Sequence, residues 1–394
     1  MLFEPLPYQV AICDHLKNSE PGLWQWFMSD DFSGEQTDAS KLELLKSCYR
    51  MTRHSHASLY ASADAVAARL GIDCPITFYQ LQSASVEPNA ALYFFDDELC
   101  VVLSGPIADL LDAKELTSVI AHEFSHHKLY TENNGEFFAA ARLLSWCADQ
   151  ADCHDAYVET ARRYQLHTEL YADLGSALVC EGPLVPIASL VKVNTGLKDV
   201  TVADYLAQAE EILAQDKSGA KGHTHPETYI RAKALDDAPK DTSRYLVLVR
   251  GKLDVRRLDV LDQRELATLT LDIAQAIGCD QRFRDDTHQI LLREYFPSFE
   301  WARATHDKPT DAELENLAAR IEALSESTHI YLAYLVLDLA TAGRDDALPL
   351  LGAALHYAER LGIFGVFEAL ARKDLKLKKG DIGNAQKMEA DRLG

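Results

Sequence analysis

The chain has 394 residues, with 61 acidic and 39 basic side chains and a formal net charge of -22. A polypeptide this acidic repels nucleic-acid phosphates and anionic lipid headgroups, so neither is expected as a partner. Hydrophobic residues at 47% and charged residues at 25% give the balance of a globular protein rather than a disordered one, and the length suits two domains, at most three.

The lysine-rich stretch Lys373, Lys376, Lys378 and Lys379 reads as a solvated helix end. Eight cysteines, none in a CxxC pair, sit mostly in apolar stretches and read as small buried hydrophobes. A disulfide framework should come with an export signal, whereas residues 1–10 hold Glu4, two prolines and no basic residue. No window approaches the ~20 apolar residues of a membrane span; the best, 137–147, is too short and carries Arg142. A soluble, cytoplasmic protein is expected.

Residues 1–40 mix aromatic, proline and acidic positions (Trp24, Trp26, Phe27, Asp30, Asp31) and read as an extension lying on the main domain. Residues 41–70 read as one helix, stopped by Gly71. Three short strands follow, at 75–81, 91–95 and 99–103, with Asp96-Asp97-Glu98 as a turn between the last two. Asp112 to Glu115 has the form of a capping box, opening a helix that runs to about Tyr130. Asn133-Asn134-Gly135 breaks the chain before helices at 136–148 and 155–179, and Gly182-Pro183 closes that block. A short helical pair is expected over 202–215 and a loop over 218–222. After about residue 240 a strand is expected at 245–250, then amphipathic helices from Gln263, clearest at 311–324 and 330–340.

Residues 115–129 read ELTSVIAHEFSHHKL and contain His122-Glu123-Phe124-Ser125-His126, an HExxH motif. Histidines at i and i+4 share one helix face, so both imidazoles reach one ion, and Glu123 lies beside it as the base that activates water. A catalytic zinc needs a third protein ligand and leaves its fourth position to water. Glu169, on a later helix, is the candidate. Asp173, one turn beyond, is placed to accept a hydrogen bond from a ligand histidine. One Zn2+ per chain is expected, on His122, His126 and Glu169. His127 points away from this face, His54 and His56 read as surface residues, and Cys147, Cys153 and His154 match no standard metal spacing.

With these motifs in order, and with His225-Pro226-Glu227-Thr228-Tyr229-Ile230-Arg231 matching an HPxxxxR signature, the chain resembles the CAAX prenyl protease and heat-shock membrane protease gluzincins, metallopeptidase family forty-eight. The resemblance covers roughly residues 45–240. It implies zinc on His122, His126 and Glu169, Glu123 as general base, His225 near the site and steadying an oxyanion, and Arg231 in a structural or supporting place. From the residues alone, His225 is open between a site residue and a loop anchor. Well-known members carry transmembrane helices that this chain lacks, so prenylated or membrane-embedded substrates are not expected. Residues 332–362, with Asp338, Asp345 and Asp346, are similar to helical modules of the tellurite-resistance TerB type; the other reading is a plain helical bundle.

The expected fold is therefore α+β: a mainly helical zincin-type metallopeptidase domain over 41–240 with a small, largely antiparallel sheet, an N-terminal extension over 1–40, and an all-α domain over 241–394. The expected function is zinc-dependent endopeptidase. A protein or peptide substrate would lie extended along the strand at 91–95 or at 99–103, and the C-terminal helices are available for a partner protein. The alternative is a latent or vestigial metal-binding regulatory protein. Latency predicts that removing either terminal segment raises activity.

Overall fold

The computed structural model describes residues 3–29, 34–82, 86–95, 98–216, 218–222, 224–253, 257–302, 308–322, 324–343 and 348–393. Asp30, Asp31, Asp96, Asp97, Asp345 and Asp346 lie outside the described residues. The protein is mainly helical with one small sheet, and it divides into two compact units, Met1–Leu261 and Asp262–Gly394.

The first unit opens with helices α1 (Pro7–Ser19) and α2 (Pro21–Phe27), each started by proline, whose fixed φ suits the first helical position. Then come α3 (Gly34–Ser47), strand β1 (Cys48–Met51), α4 (Ala57–Leu70), and strands β2 (Ile76–Leu81), β3 (Asn89–Phe94) and β4 (Leu99–Ser104). The rest is helical: α5 (Ile107–Leu110), α6 (Ala113–Thr131), α7 (Glu136–Ala148), α8 (Asp155–Val179), α9 (Leu184–Thr195), α10 (Val202–Gln215), α11 (Thr228–Asp237) and α12 (Thr242–Leu253).

Local signals place several of these ends. Gly71 takes φ 69° and closes α4 in the left-handed conformation. Asp112 accepts from the Lys114 and Glu115 amides while Glu115 accepts from the Asp112 amide, so the capping box is formed. Asn133, Asn134 and Gly135 all have positive φ and separate α6 from α7.

Other expectations are corrected. The single helix over 41–70 is interrupted by β1, because Cys48 to Met51 pair antiparallel with Leu81 to Phe78 of β2, and the Tyr60 hydroxyl donates to the Met51 carbonyl at 2.8 Å. The strand expected at 245–250 is helix α12. Its buried residues Tyr245, Val249 and Leu253 recur every four positions, which is helical packing. The pair expected over 202–215 is one helix, α10.

The sheet has the order β1-β2-β4-β3. It is mixed: β1–β2 and β3–β4 are antiparallel, and β2–β4 is parallel. Every residue of β4 is buried, as in a strand covered on both faces. One face packs Phe78, Val101 and Leu103 on Ile120 and Phe124 of α6; Leu44 of α3 packs with Tyr79 and Val102 on the other. β3 is an outer edge, with alternating exposed and half-buried residues. That decides which strand offers free backbone groups.

Residues 7–27 belong to the core. Ile12, Cys13, Leu16, Trp24 and Phe27 pack with Leu143, Leu144, Tyr164 and Tyr171 of α7 and α8, Phe3 stacks on Tyr171, and Gln9 donates to the Thr168 hydroxyl. Each large apolar side chain contributes about 1.5–3 kcal/mol on burial. Deleting residues 1–28 is therefore expected to lower stability by at least about 5 kcal/mol. Urea denaturation of the truncated chain checks this; an unchanged midpoint would make the segment peripheral.

The second unit contains α13 (Val260–Ile277), within which the boundary falls, α14 (Asp286–Tyr295), α15 (Asp311–Glu322), α16 (Glu326–Thr341), α17 (Leu348–Arg360), α18 (Phe364–Asp374) and α19 (Lys379–Leu393). Its core includes Ile273, Phe283, Leu332, Val336, Leu351 and Phe367. Asp338 accepts from the Tyr295 hydroxyl at 2.6 Å. Arg282 bridges Asp280 and Glu389, giving each carboxylate two of its guanidinium nitrogens. These bonds hold Glu389 below the usual carboxylate range; burial alone would raise Asp280, but Arg282 lowers it on balance. Stabilisation from groups with depressed folded pKa is full above the unfolded values, near 4, and is lost as pH falls below them. Glu389→Gln is expected to cost about 1.5–3 kcal/mol at pH 7 and to flatten the acid loss of stability below pH ~4, measured by denaturant titration across that range.

Candidate metal centre

The site forms where α6 and α8 run against each other under the edge strand β3. Close approach needs Gly175, since a Cβ there would lie 2.0 Å from Ser125 Oγ of α6. On α6, His122 and His126 project from one face, one turn apart. On α8, Glu169 meets them, and Asp173 follows one turn later.

Donor atoms of three residues converge. His122 Nε2 and His126 Nε2 are 3.2 Å apart, His126 Nε2 is 3.4 Å from Glu169 Oε1, and His122 Nε2 is 3.5 Å from Glu169 Oε2. A tetrahedral ion with ligands at roughly 2.0–2.1 Å has edges of about 3.3–3.4 Å between its ligand atoms. The nearest donor separations are of that order, the donor atoms of the three residues lie within 4.8 Å of one another, and these residues can hold a metal ion. Glu169 Oε2 is buried without a hydrogen-bond partner; three nitrogens, of His122, His225 and Arg231, stand 3.4–3.5 Å from it. No other such group of metal-binding side chains occurs among the described residues.

The surrounding charges orient the cluster. His122 Nδ1 lies 3.1 Å from Asp173 Oδ1, which fixes the ring so that Nε2 faces Glu169. Arg231, from α11, donates to both Asp173 oxygens at 2.7 and 2.8 Å. Burial by itself would lower the His122 pKa, but the Asp173 and Glu169 carboxylates raise it to about 10. Burial lowers His126 to about 4. Glu169 is held well below the carboxylate range because the adjacent His122 imidazole and the charges of Arg231 and His126 exceed the cost of its burial.

Glu123 is buried, and its Oε2 accepts the Leu92 amide of β3 at 2.8 Å. Burial, helped by the Glu169 charge, pushes its carboxyl up to about 7. A carboxyl titrating there can both take and return a proton near neutral pH. His225 is 59% exposed and lies in the loop before α11, with Nε2 3.5 Å from Glu169 Oε2 and Nδ1 2.8 Å from Thr224 Oγ1.

The structure thus brings together His122, Glu123, His126, Glu169, Asp173, His225 and Arg231. The other described histidines and cysteines of the first unit are not part of the cluster. His127 is buried against Cys74 and Phe94, where burial lowers it to about 4. His54 is exposed and His56 half-buried. All eight cysteines are free.

A cleft of about 1160 Å³ opens over the cluster. It is lined by β3 and by residues of α6, α8, α9 and the loop before α11; none of its described lining residues comes from 1–40. Sequence reading missed three of its side chains, Phe94, Tyr130 and Phe138. Tyr130 was legible, being four residues after His126 and so on the same face; Phe94 and Phe138 are brought in by the tertiary fold.

No helix among the described residues is long and apolar enough to cross a membrane. No family model, curated protein or solved structure matches the chain, so the resemblance noted above rests on its motif residues alone.

Proposed function

We propose that this protein is a zinc-dependent endopeptidase, with His122, His126 and Glu169 as the metal ligands and Glu123 as general base. The observation that carries the reading is the convergence of donor atoms from His122, His126 and Glu169, within 4.8 Å of one another, beside a buried carboxylate and under a sheet edge that an extended peptide can join. Two imidazoles and one carboxylate with an open fourth position are the donor set of catalytic zinc. Zinc held there supplies Lewis acidity, acidifying water and polarising a carbonyl.

The chain's own residues do the rest. β3 offers its outer backbone groups, apart from the Leu92 amide that donates to Glu123, to an extended peptide. Glu123 takes the proton from the attacking water and returns it to the leaving amine. Asp173, held by Arg231, keeps His122 in the tautomer that presents Nε2. His225, exposed at the mouth, is the group available to stabilise the developing oxyanion. The motif resemblance to metallopeptidase family forty-eight supports the same assignment.

The test is elemental mass spectrometry for bound metal together with cleavage of an unfolded protein such as casein. One zinc per chain and proteolysis in wild type, with neither in Glu169→Gln, are the expected results. Zinc without cleavage of any protein would favour the latent regulatory reading, and absence of metal after chelator-free purification would end the assignment.

A further inference from the structure

We propose that Phe94, Tyr130 and Phe138 form a pocket for a large apolar or aromatic side chain of the substrate, one or two residues from the bond that is cut. The inference rests on the peptidase reading above and adds a substrate class to it.

The three rings line one end of the cleft, each half-buried. Phe94 and Phe138 have centroids 4.2 Å apart, Tyr130 and Phe138 5.1 Å, and Phe94 and Tyr130 5.7 Å. The pocket borders the metal cluster, for the Tyr130 ring is 6.3 Å from the His126 ring. It is also braced from behind. His127 packs on Phe94 at 5.4 Å. The Arg142 guanidinium lies 5.0 Å over the Phe138 ring and donates to the Phe27 carbonyl at 2.6 Å. Rings held in this way present a preformed apolar surface to a ligand.

The register of β3 places the pocket relative to the chemistry. The Leu92 amide donates to Glu123, and Phe94 is two residues on, so its side chain shares the face of the Leu92 side chain about 7 Å along the strand. A peptide paired with the free edge of β3 projects the side chain opposite Phe94 onto that same face, among the rings. A charged side chain would lose its water against the three rings, whereas an apolar one gains by burial.

The experiment maps cleavage sites by mass spectrometry in a digest of unfolded proteins by the zinc-loaded full chain. Phe, Tyr, Trp, Leu or Met should be enriched at one position within two residues of the cut. Phe138→Ala should lower kcat/KM about 10-fold or more for peptides with such a residue, and at most about 3-fold for those with alanine there. Phe138→Leu, which keeps an apolar wall, guards against misfolding and should retain most of the preference. A second readout needs no turnover: the Glu123→Gln protein should bind a Phe-containing peptide about 10-fold more tightly than its Ala counterpart, and adding Phe138→Ala should remove the difference. Cleavage without apolar enrichment, or a preference unchanged in Phe138→Ala, overturns the pocket and leaves the peptidase reading standing. Discrimination in binding without cleavage by wild type keeps the pocket and removes the peptidase. Neither cleavage nor discrimination removes both.

Discussion

Glu123→Gln is expected to abolish most peptide hydrolysis, by about 10²–10⁴-fold in kcat, while leaving one zinc bound per chain. Glutamine keeps the size of the side chain and can orient a water, but it cannot accept the water's proton or hand one to the leaving amine. Glu123 is not one of the three residues whose donors converge, so removing its charge leaves that ligand set whole. The Leu92 amide that Glu123 accepts keeps an acceptor in the glutamine carbonyl, and little stability should be lost. The discriminating measurement is the pair of values, metal content and single-turnover cleavage, on the same preparation. Loss of zinc in this variant would make Glu123 a structural member of the centre. Retained cleavage would mean that another group carries the proton.

Arg231→Met is expected to cost about 3–5 kcal/mol of stability, because it leaves the Asp173 carboxylate buried without its main partner. The Arg231–Asp173 pair is bidentate, both side chains are almost fully buried, and each holds the other strongly in its charged form. The damage should extend to the metal. Asp173 also fixes His122 through Nδ1, and loss of such a supporting contact typically weakens metal affinity 10–100-fold. Thermal or urea denaturation of the metal-free protein gives the first effect, and a competition titration against a zinc chelator gives the second. Since removing only one member of a buried pair is what costs most, Asp173→Leu combined with Arg231→Met should recover part of the stability but none of the lost affinity. A full recovery of affinity would show that Asp173 does not orient His122.

The described residues that line the cleft include none of 1–40. Trp24 and Phe27 face inward to the core, and the Phe27 carbonyl helps to brace the aromatic end of the cleft through Arg142. Removing this segment is thus expected to weaken the site rather than open it.

What the sequence by itself determined lies at short range. The HExxH spacing puts His122 and His126 on one helix face whatever else the chain does, because 3.6 residues per turn is a local property. Asp112 and Glu115 cap α6, and Gly71 stops α4, through hydrogen bonds and a backbone angle within a few residues. Glu169 and Asp173 share a face of α8 by the same period. The tertiary structure alone decided everything that depends on partners distant in sequence. Cys48 to Met51 leave the helical pattern only because β2 offers them a ladder. Residues 245–250, rich in leucine and valine, become helix because their burial repeats every four residues against the α8 and α11 side chains. Neither the edge position of β3 nor the joining of Phe94, Tyr130 and Phe138 is written in any local pattern, since which strand pairs outermost and which rings meet are fixed by long-range hydrogen bonding and packing. Even the centre itself needed the fold: the motif supplied two donors, and only the packing of α8 and α11 on α6 brought Glu169, Asp173 and Arg231 to them.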